Sequence, residues 1–276
     1  MKNTIYQLGS VTNTQMNSYI VTTSDGKIIV IDGGFNQDAE NMLAYLRKLT
    51  GEALPHVDVW IFSHAHLDHI SCFLEIVEKH WDKLTVGKIM YNFPSIQYCA
   101  REGAWGGYDA VIERFMADLP VFADRVVTMY GFDVYDIGEA HIEVLYSPNC
   151  EIQTNYINNS SVIFMLTLGG KKILFTGDAG VEEGDKCLAL YEGTDKLKAD
   201  YVQMAHHGQN GVEKRFYEAV APTGCLWCTP DWLWNNDAGL GYNTHGWKTI
   251  EVRGWMDELG VKEHYVLMNG TQIIEL

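Results

Sequence analysis

The residues best suited to chemistry in this chain lie in one short run, from His64 to His69. Three of the ten histidines fall there together with an aspartate, in the order His64, His66, Asp68 and His69. Imidazole and carboxylate groups are ligands that zinc, iron and manganese accept in proteins. Burying several titratable groups together is costly unless a partner offsets their charge. The run therefore predicts a metal site.

Two further segments place ligand-type side chains directly after apolar strands. Leu174 to Gly177 leads into Asp178, a carboxylate whose two oxygens allow it to bridge two metals. Tyr201 to Ala205 leads into the adjacent pair His206 and His207, and such a pair after a strand favours a ligand role. The sequence leaves open which of the two histidines binds.

Strands and helices alternate along the chain, so the candidate ligands follow strands that can fix them in space. Apolar runs predict strands over residues 27–31, 56–62, 161–168 and 171–176. Helical spacing predicts helices over residues 39–49, 70–77, 212–220 and 247–259. Gly169-Gly170 is typical of a hairpin turn, and residues 261–276 are expected to form a final hairpin that turns at Asn269-Gly270. The alternation indicates two β-plus-helix halves packed sheet to sheet.

The composition limits the class of protein. The chain has 276 residues, and its 20 basic and 36 acidic residues give a formal charge of −16. This acidity argues against sequence-independent binding to nucleic acid or to an anionic membrane. The N-terminus has no signal-peptide core, and no apolar run has the roughly 18 residues of a membrane span. We expect one cytoplasmic domain over residues 1–276, with no membrane partner.

The six cysteines are expected to be reduced thiols. They are scattered through a chain that has no signal peptide. Cys225 and Cys228 form a CxxC motif, which is typical either of a redox or metal pair or of a buried strand. No second pair completes a zinc site, and no helix start follows. We therefore expect a buried strand.

The motifs resemble those of a known family. The run from His64 to His69 resembles the HxHxDH signature of the metallo-β-lactamase superfamily, and Asp32-Gly33-Gly34 resembles the turn that precedes it. Residues 158–162, 174–178 and 206–208 are similar to the hydrolase domain of bacterial DNA-uptake channel proteins and its soluble relatives. The resemblance extends from about Gln7 to the end of the chain. It implies an α/β fold, an αββα sandwich of two mixed β-sheets flanked by helices.

The resemblance also implies a ligand set. The implied metal ligands are His64, His66, Asp68, His69, Asp178 and His206. His64 and His66 would hold one metal. Asp68, His69 and His206 would hold a second, and Asp178 would bridge the two metals. Asp32 would orient a ligand histidine. The expected cofactor is one or two Zn²⁺ ions, with Mn²⁺ or Fe as alternatives.

One departure from the family concerns the first metal. Many members carry a third histidine for it after a mid-chain strand, where this chain reads Tyr146 to Cys150 without histidine. His141 lies at the start of that strand and is expected to be too far away. We expect the first metal to be held more weakly, or to be completed by water or an asparagine.

The residues expected to act in catalysis are Asp68, His207, His245 and Asn159. His245 matches a histidine that the same branch keeps before its last helix, and it would contact a phosphoryl oxygen or protonate a leaving group. A surface histidine at a helix start is the alternative. Asn158 or Asn159 would offer an amide to an oxyanion, or would form a polar turn.

These residues indicate hydrolysis by metal-activated water. The branch resemblance favours a phosphodiester substrate, a nucleotide or an oligonucleotide, although the charge of −16 counts against a long polyanion. The alternative is a carboxylic ester, lactone or thioester, for which residues 98–108 and 231–234 would wall an apolar pocket. Di-iron redox relatives carry glutamate where this chain has His66. A catalytically silent metal-binding module would not need a complete ligand set.

Overall fold

The computed structural model describes residues 1–102 and 108–276 of the chain. In those ranges the strands are β1 (Thr4–Gln7), β2 (Ser18–Thr22), β3 (Ile28–Asp32), β4 (His56–Ile61), β5 (Thr85–Tyr91), β6 (Val126–Thr128), β7 (Val134–Ile137), β8 (Ala140–Tyr146), β9 (Ile163–Leu168), β10 (Lys171–Phe175), β11 (Tyr201–Gln203), β12 (Gly224–Trp227), β13 (Glu263–Val266) and β14 (Gln272–Glu275). They form two sheets, ordered β14-β1-β2-β3-β4-β5-β6 and β13-β12-β11-β10-β9-β8-β7. Both sheets are mixed, with parallel pairing from β3 to β6 and from β10 to β13.

The helices cover the outer faces of the two sheets. The described helices are α1 (Ala39–Thr50), α2 (Leu67–His80), α3 (Ile96–Cys99), α4 (Tyr108–Asp118), α5 (Val181–Leu190), α6 (Lys214–Val220), α7 (Asp231–Trp234) and α8 (Thr249–Leu259). One apolar core lies between the first sheet and α1, α2 and α4, and another lies between the second sheet and α5, α6 and α8. A third core fills the space between the sheets. The expected αββα sandwich is confirmed.

Strand β3 shows why the chain adopts this layering. All five of its residues are buried. Because side chains alternate across a strand, Val30 packs into the core under the helices while Ile29 and Ile31 pack between the sheets. A continuous apolar run therefore gives a strand that is covered on both faces.

The two hairpin predictions have different outcomes. Strands β9 and β10 pair antiparallel, and Gly169 and Gly170 turn between them with φ of 60° and 79°, as predicted. The final hairpin is wrong, because β13 pairs with β12 in the second sheet whereas β14 pairs with β1 in the first. The segment at Gly270 (φ 81°) carries the chain from one sheet to the other. The Asn269-Gly270 sequence is typical of a hairpin turn, but here the same sequence lies in a connection between two sheets.

Within the described ranges, no helix combines the length and the apolar character needed to cross a bilayer.

Candidate metal centre

The candidate ligands meet at one end of the sandwich, where parallel strands of both sheets finish. His64 and His66 follow β4, and α2 begins immediately after His66. Asp178 follows β10, and His207 follows β11 in the facing sheet. The carboxyl ends of parallel strands are where α/β folds usually place their binding sites, because several loops converge there on a rigid edge.

Four of these side chains form a compact buried cluster, which we call the second cluster. Its members are Asp68, His69, Asp178 and His207, whose ligand atoms all lie within 4.8 Å of one another. His207 Nε2 lies 3.0 Å from Asp68 Oδ2 and 3.2 Å from Asp178 Oδ2. His69 Nε2 lies 3.2 Å from Asp178 Oδ1. Both sheets therefore contribute donors to one point.

Three side chains form a neighbouring group, the first cluster. Its members are His64, His66 and Asp178, also within 4.8 Å of one another. His64 Nε2 lies 3.0 Å from His66 Nδ1 and 3.7 Å from Asp178 Oδ2. Asp178 belongs to both clusters, which is the position expected of a carboxylate that bridges two metals.

The donor set fits divalent metal ions. His69 Nε2, His207 Nε2 and Asp178 Oδ1 are fully buried, and none of them makes a hydrogen bond among the described residues. Their contacts of about 3 Å are close but lack hydrogen-bond geometry, so the atoms face a common point instead of pairing. Nitrogen and oxygen donors in this arrangement suit zinc, manganese or iron, and do not distinguish among them.

The electrostatics of the two clusters differ. Burial alone would raise the pKa of Asp178, but His207, His69 and His64 hold that pKa well below its usual range. Burial alone would lower the pKa of His207, but Asp178 and Asp68 raise it to about 9. Burial lowers the pKa of His66 to about 4. The second cluster therefore attracts positive charge strongly, whereas the first holds neutral imidazoles.

Asp32 supports the second cluster from behind. Its Oδ2 accepts hydrogen bonds from His69 Nδ1 at 2.8 Å, from Asn17 Nδ2 at 2.7 Å and from Ser63 Oγ at 2.7 Å. Its Oδ1 accepts from the Ser63 backbone N–H. Because His69 Nδ1 is engaged in this way, its Nε2 is left to face the cluster, which is the orienting role expected of Asp32.

A second supporting contact was not predicted from the sequence. Gln15 Nε2 donates to Asp68 Oδ2 at 3.1 Å, and Gln209 Nε2 donates to Gln15 Oε1 at 3.4 Å. Gln15 lies in the loop between β1 and β2, where nothing in the local pattern marks it. The contact orients the Asp68 carboxylate from the solvent side.

The backbone directs the two adjacent histidines to different places. His206, His207 and Gly208 have φ of 50°, 57° and 78°, so the chain turns in the left-handed region for three residues. This turn buries His207 in the second cluster and directs His206 to the rim, where its Nδ1 lies 3.3 Å from the Asn210 carbonyl oxygen. His206 Nε2 lies 4.0 Å from Asp178 Oδ2, outside the second cluster, so we propose His207 as the ligand in place of the expected His206.

Asn159, expected either to offer its amide to an oxyanion or to form a polar turn, has that amide hydrogen-bonded within the protein. Its Oδ1 accepts hydrogen bonds from the backbone N–H groups of Gly180 and Glu183, and its Nδ2 donates to the Thr154 carbonyl. Both ends of the amide are engaged in fixing the start of α5. The neighbouring Asn158 lines the cleft that opens above the two clusters.

His245 and His141 lie outside both clusters. His245 is exposed and stacks on Trp247 with ring centroids 3.5 Å apart, so it stands behind an aromatic residue that lines the cleft. His141 is exposed on β8 and pairs with Asp136 at 2.7 Å. His141 therefore lies away from the clusters, as expected. The catalytic role of His245 stays a prediction.

The clusters open into a cleft of about 470 Å³. His66, Asp68 and Asp178 line its floor, and five amide side chains line its walls: Gln15, Asn155, Asn158, Gln209 and Asn210. No lysine or arginine is among the described residues that line it. A larger cavity of about 670 Å³, beside α5 and α6, contains none of the clustered ligands.

The expected aromatic walls are described only in part. Residues 103–107 of the predicted 98–108 segment lie outside the described residues. Of the other segment, Trp232 packs against Trp247 at 5.1 Å beside the cleft, whereas Trp234 packs against Trp227. One tryptophan of that segment is thus close to the site.

The CxxC motif is a buried structural element, as expected. Cys225 packs under the helices of the second sheet, and Cys228 packs between the sheets. Both thiols are free, as are the other four. Side chains that face different layers cannot form a redox pair without rearrangement.

Comparison with known proteins gives the family context. Residues 11–89 match the metallo-beta-lactamase superfamily. No curated protein matches the chain by sequence. The metallo-beta-lactamase fold protein YhfI from Bacillus subtilis is similar with a TM-score of 0.60 at 13% identity, covering 99% of this chain and 100% of that one.

Two more solved structures are similar over the whole chain. CmlA, a diiron beta-hydroxylase from Streptomyces venezuelae, has a TM-score of 0.59 at 13% identity, and the match covers 100% of this chain but 54% of CmlA. A diphosphatase from the PhnP family has a TM-score of 0.51 at 14% identity, covering 100% of this chain and 98% of that one. At these identities the likeness shows the fold alone.

Proposed function

We propose that this chain, which has the metallo-beta-lactamase fold, is a hydrolase that attacks its substrate with metal-activated water. The observation that carries the proposal is the pair of buried clusters that share Asp178 and open into one cleft. In this assignment His64, His66 and Asp178 hold one metal. Asp68, His69, His207 and Asp178 hold the other. Zinc is the metal we would test first, followed by manganese and iron.

The residues of the chain have distinct parts in this chemistry. When bound, a divalent cation lowers the pKa of water to about 7 and so supplies hydroxide at neutral pH. Asp32 and Gln15 fix the orientation of His69 and Asp68. A rigid ligand shell keeps the nucleophile in place, and this positioning supplies a large part of the rate enhancement.

The cleft favours a small substrate. Tight binding of a polyanion normally uses several Lys or Arg contacts, and none lines the described cleft. A small phosphodiester, such as a nucleotide or a very short oligonucleotide, needs only the metals to meet its charge. We propose a small phosphodiester as the substrate class.

A carboxylic ester, lactone or thioester is the second candidate. The uncharged walls of the cleft, with amides and Trp247, suit a neutral substrate as well as they suit a small anion. The likeness to the diphosphatase does not decide between the two, because it shows the fold alone.

The test is a hydrolysis panel on the purified protein. Bis-p-nitrophenyl phosphate, a p-nitrophenyl ester and a lactone are assayed with zinc or manganese added and with a chelator. We expect metal-dependent hydrolysis, fastest on the phosphodiester, and its loss in Asp178→Asn but not in His141→Ala. Faster turnover of the ester or lactone would favour the second candidate. Metal-loaded protein that hydrolyses none of the three, or redox activity with iron, would contradict the proposal.

A further inference from the structure

The first cluster has one protein donor fewer than the second. It offers His64, His66 and the shared Asp178, whereas the second cluster offers four ligand atoms. The segment after β8, from Tyr146 to Cys150, contains no histidine. Protein zinc sites commonly have four ligands, of which three or four come from side chains. With one further oxygen or nitrogen donor, the first cluster would offer as many protein ligand atoms as the second.

Asn158 presents such a donor. The residue is 5% exposed, and its Oδ1 is buried without a hydrogen-bond partner among the described residues. It lines the same cleft as His66 and Asp178. Leaving a buried carbonyl oxygen unpaired is unfavourable, because the oxygen loses its hydrogen bonds to water. The unpaired oxygen therefore indicates that a bound ligand or a substrate group contacts it.

The orientation of this amide is fixed by its neighbour. Asn158 Nδ2 donates to Asn155 Oδ1 at 2.9 Å, so the NH₂ group is engaged and the oxygen takes the other direction. Asn155 itself is held in the left-handed region, with φ of 46°, and its carbonyl accepts from the Asn159 N–H at 2.8 Å. Asn159 in turn anchors the turn to α5. The oxygen is thus presented by a rigid turn and not by a flexible loop.

An oxygen without a proton can meet only a cation or a hydrogen-bond donor. We propose that Asn158 Oδ1 is a further ligand of the divalent cation held by His64, His66 and Asp178. The inference rests on the metal assignment of the proposed function but not on the identity of the substrate. Because an amide oxygen is neutral, the first site has less negative charge than the second. It is expected to exchange its metal more readily.

The test compares zinc binding by Asn158→Leu and Asn158→Asp with that of the unsubstituted protein. Zinc is titrated calorimetrically into the metal-free proteins, and the bound zinc is counted after dialysis. We expect two zinc ions in the unsubstituted protein, one tight and one weak. Asn158→Leu should weaken only the weak site, by about 10- to 100-fold. Asn158→Asp, which keeps the oxygen and adds a charge, should bind the weak zinc at least as tightly as the unsubstituted protein.

Several outcomes would overturn the inference. Unchanged affinity of the weak site in both variants is one, and a single zinc in the unsubstituted protein at every concentration is another. A change of KM with unchanged zinc affinity would assign the oxygen to a substrate donor instead. If Asn158→Leu fails to fold by circular dichroism, Asn158→Asp decides, since weaker binding in that variant contradicts a ligand role.

Cobalt substitution separates this inference from the proposed function. The visible absorption of Co²⁺ reports its coordination number, so Asn158→Leu should alter the spectrum of the second equivalent added and leave that of the first unchanged. Two cobalt sites with this response in a protein that hydrolyses nothing would support the ligand role and contradict the hydrolase. Hydrolysis by the protein, together with a cobalt spectrum that Asn158→Leu does not alter, would support the hydrolase and contradict the ligand role.

Discussion

At the scale of single residues, the site depends on one carboxylate that both clusters share. Asp178 is 1% exposed and contacts His64, His69 and His207. A cation in either cluster would lie against one of its oxygens. Substitution at this position should therefore affect both metals together, whereas substitution of His66 should affect the first.

We predict that Asp178→Asn removes most bound metal and all hydrolysis. The amide keeps the size of the side chain but removes the charge that draws cations to both clusters. Metal per protein is measured by elemental analysis after dialysis. His141→Ala, on the exposed face of β8, is the matched control and should keep full metal content. Full metal content in Asp178→Asn would refute the assignment.

We also predict that metal binding releases protons. Asp178 and Asp68 raise the pKa of His207 to about 9 in the metal-free protein, above its usual value of about 6.5. His207 therefore carries a proton through neutral pH and must lose it to bind a metal. Asp178 and Asp32 also raise the pKa of His69 well above its usual value. The apparent affinity should therefore rise from about pH 7 towards 9, by about tenfold for each pH unit for each proton released.

Calorimetry in buffers with different ionisation enthalpies measures this release. At pH 7.5 the observed binding heat should depend on the buffer, because His207 and His69 would each release a proton at the second cluster. Above about pH 9.5 the contribution of His207 to this dependence should vanish. A binding heat that is independent of the buffer at pH 7.5 would show that His207 is already neutral there.

The sequence predicted most of these residues but not their orientation. The run from His64 to His69 is local, so its chemistry is visible in the sequence itself. The proposed choice of His207 over His206 depends on three successive left-handed φ values, which no spacing reveals. The same holds for Gln15, which reaches Asp68 from a loop that is distant in sequence.

At the scale of elements, tight turns after strands place the ligands. Gly177, between β10 and Asp178, has φ of 54°, and a Cβ there would lie 2.7 Å from Ser161 Oγ and 2.9 Å from Ser63 Cβ. Ser161 Oγ accepts a hydrogen bond from the Asp178 N–H. The turn is therefore packed against both the second sheet and the loop that carries His64.

We predict that Gly177→Ala lowers the free energy of unfolding by about 1–3 kcal/mol and weakens metal binding. The added methyl group must displace Ser161 or Ser63 and would shift Asp178 with it. Gly254→Ala in α8 is the control, because its Cβ would meet nothing within 4 Å and its helix propensity improves. Chemical denaturation checks both variants. Equal stability of Gly177→Ala and the unsubstituted protein would contradict the argument.

Sequence periodicity predicted individual elements better than their pairing. The helix expected over residues 39–49 is found at Ala39–Thr50, and the expected β9–β10 hairpin is present. The final hairpin failed because strand pairing depends on which sheet has a free edge. Strand β14 completes the first sheet beside β1, and β13 completes the second beside β12.

At the scale of the whole molecule, the metal centre joins two sheets that are far apart in the sequence. The first sheet leads into His64, His66, Asp68 and His69, and the second leads into Asp178 and His207. A cation bound by both sets ties the halves together in the folded state only. Its binding free energy is therefore also folding free energy.

We predict that zinc raises the unfolding temperature of the metal-free protein. At a free zinc concentration about 100 times Kd, the gain is about 2.7 kcal/mol, which corresponds to a rise of roughly 5–10 °C. Differential scanning calorimetry with zinc and with a chelator measures it. Asp178→Asn should show little of the shift. An equal shift in that variant would mean that zinc binds elsewhere.

Anomalous diffraction from crystals grown with zinc would test whether the two clusters bind metal, because it locates each ion. We expect a strong peak among Asp68, His69, Asp178 and His207, and a weaker peak among His64, His66, Asp178 and Asn158. Density for zinc elsewhere, with these side chains turned away from one another around an empty cleft, would contradict this expectation.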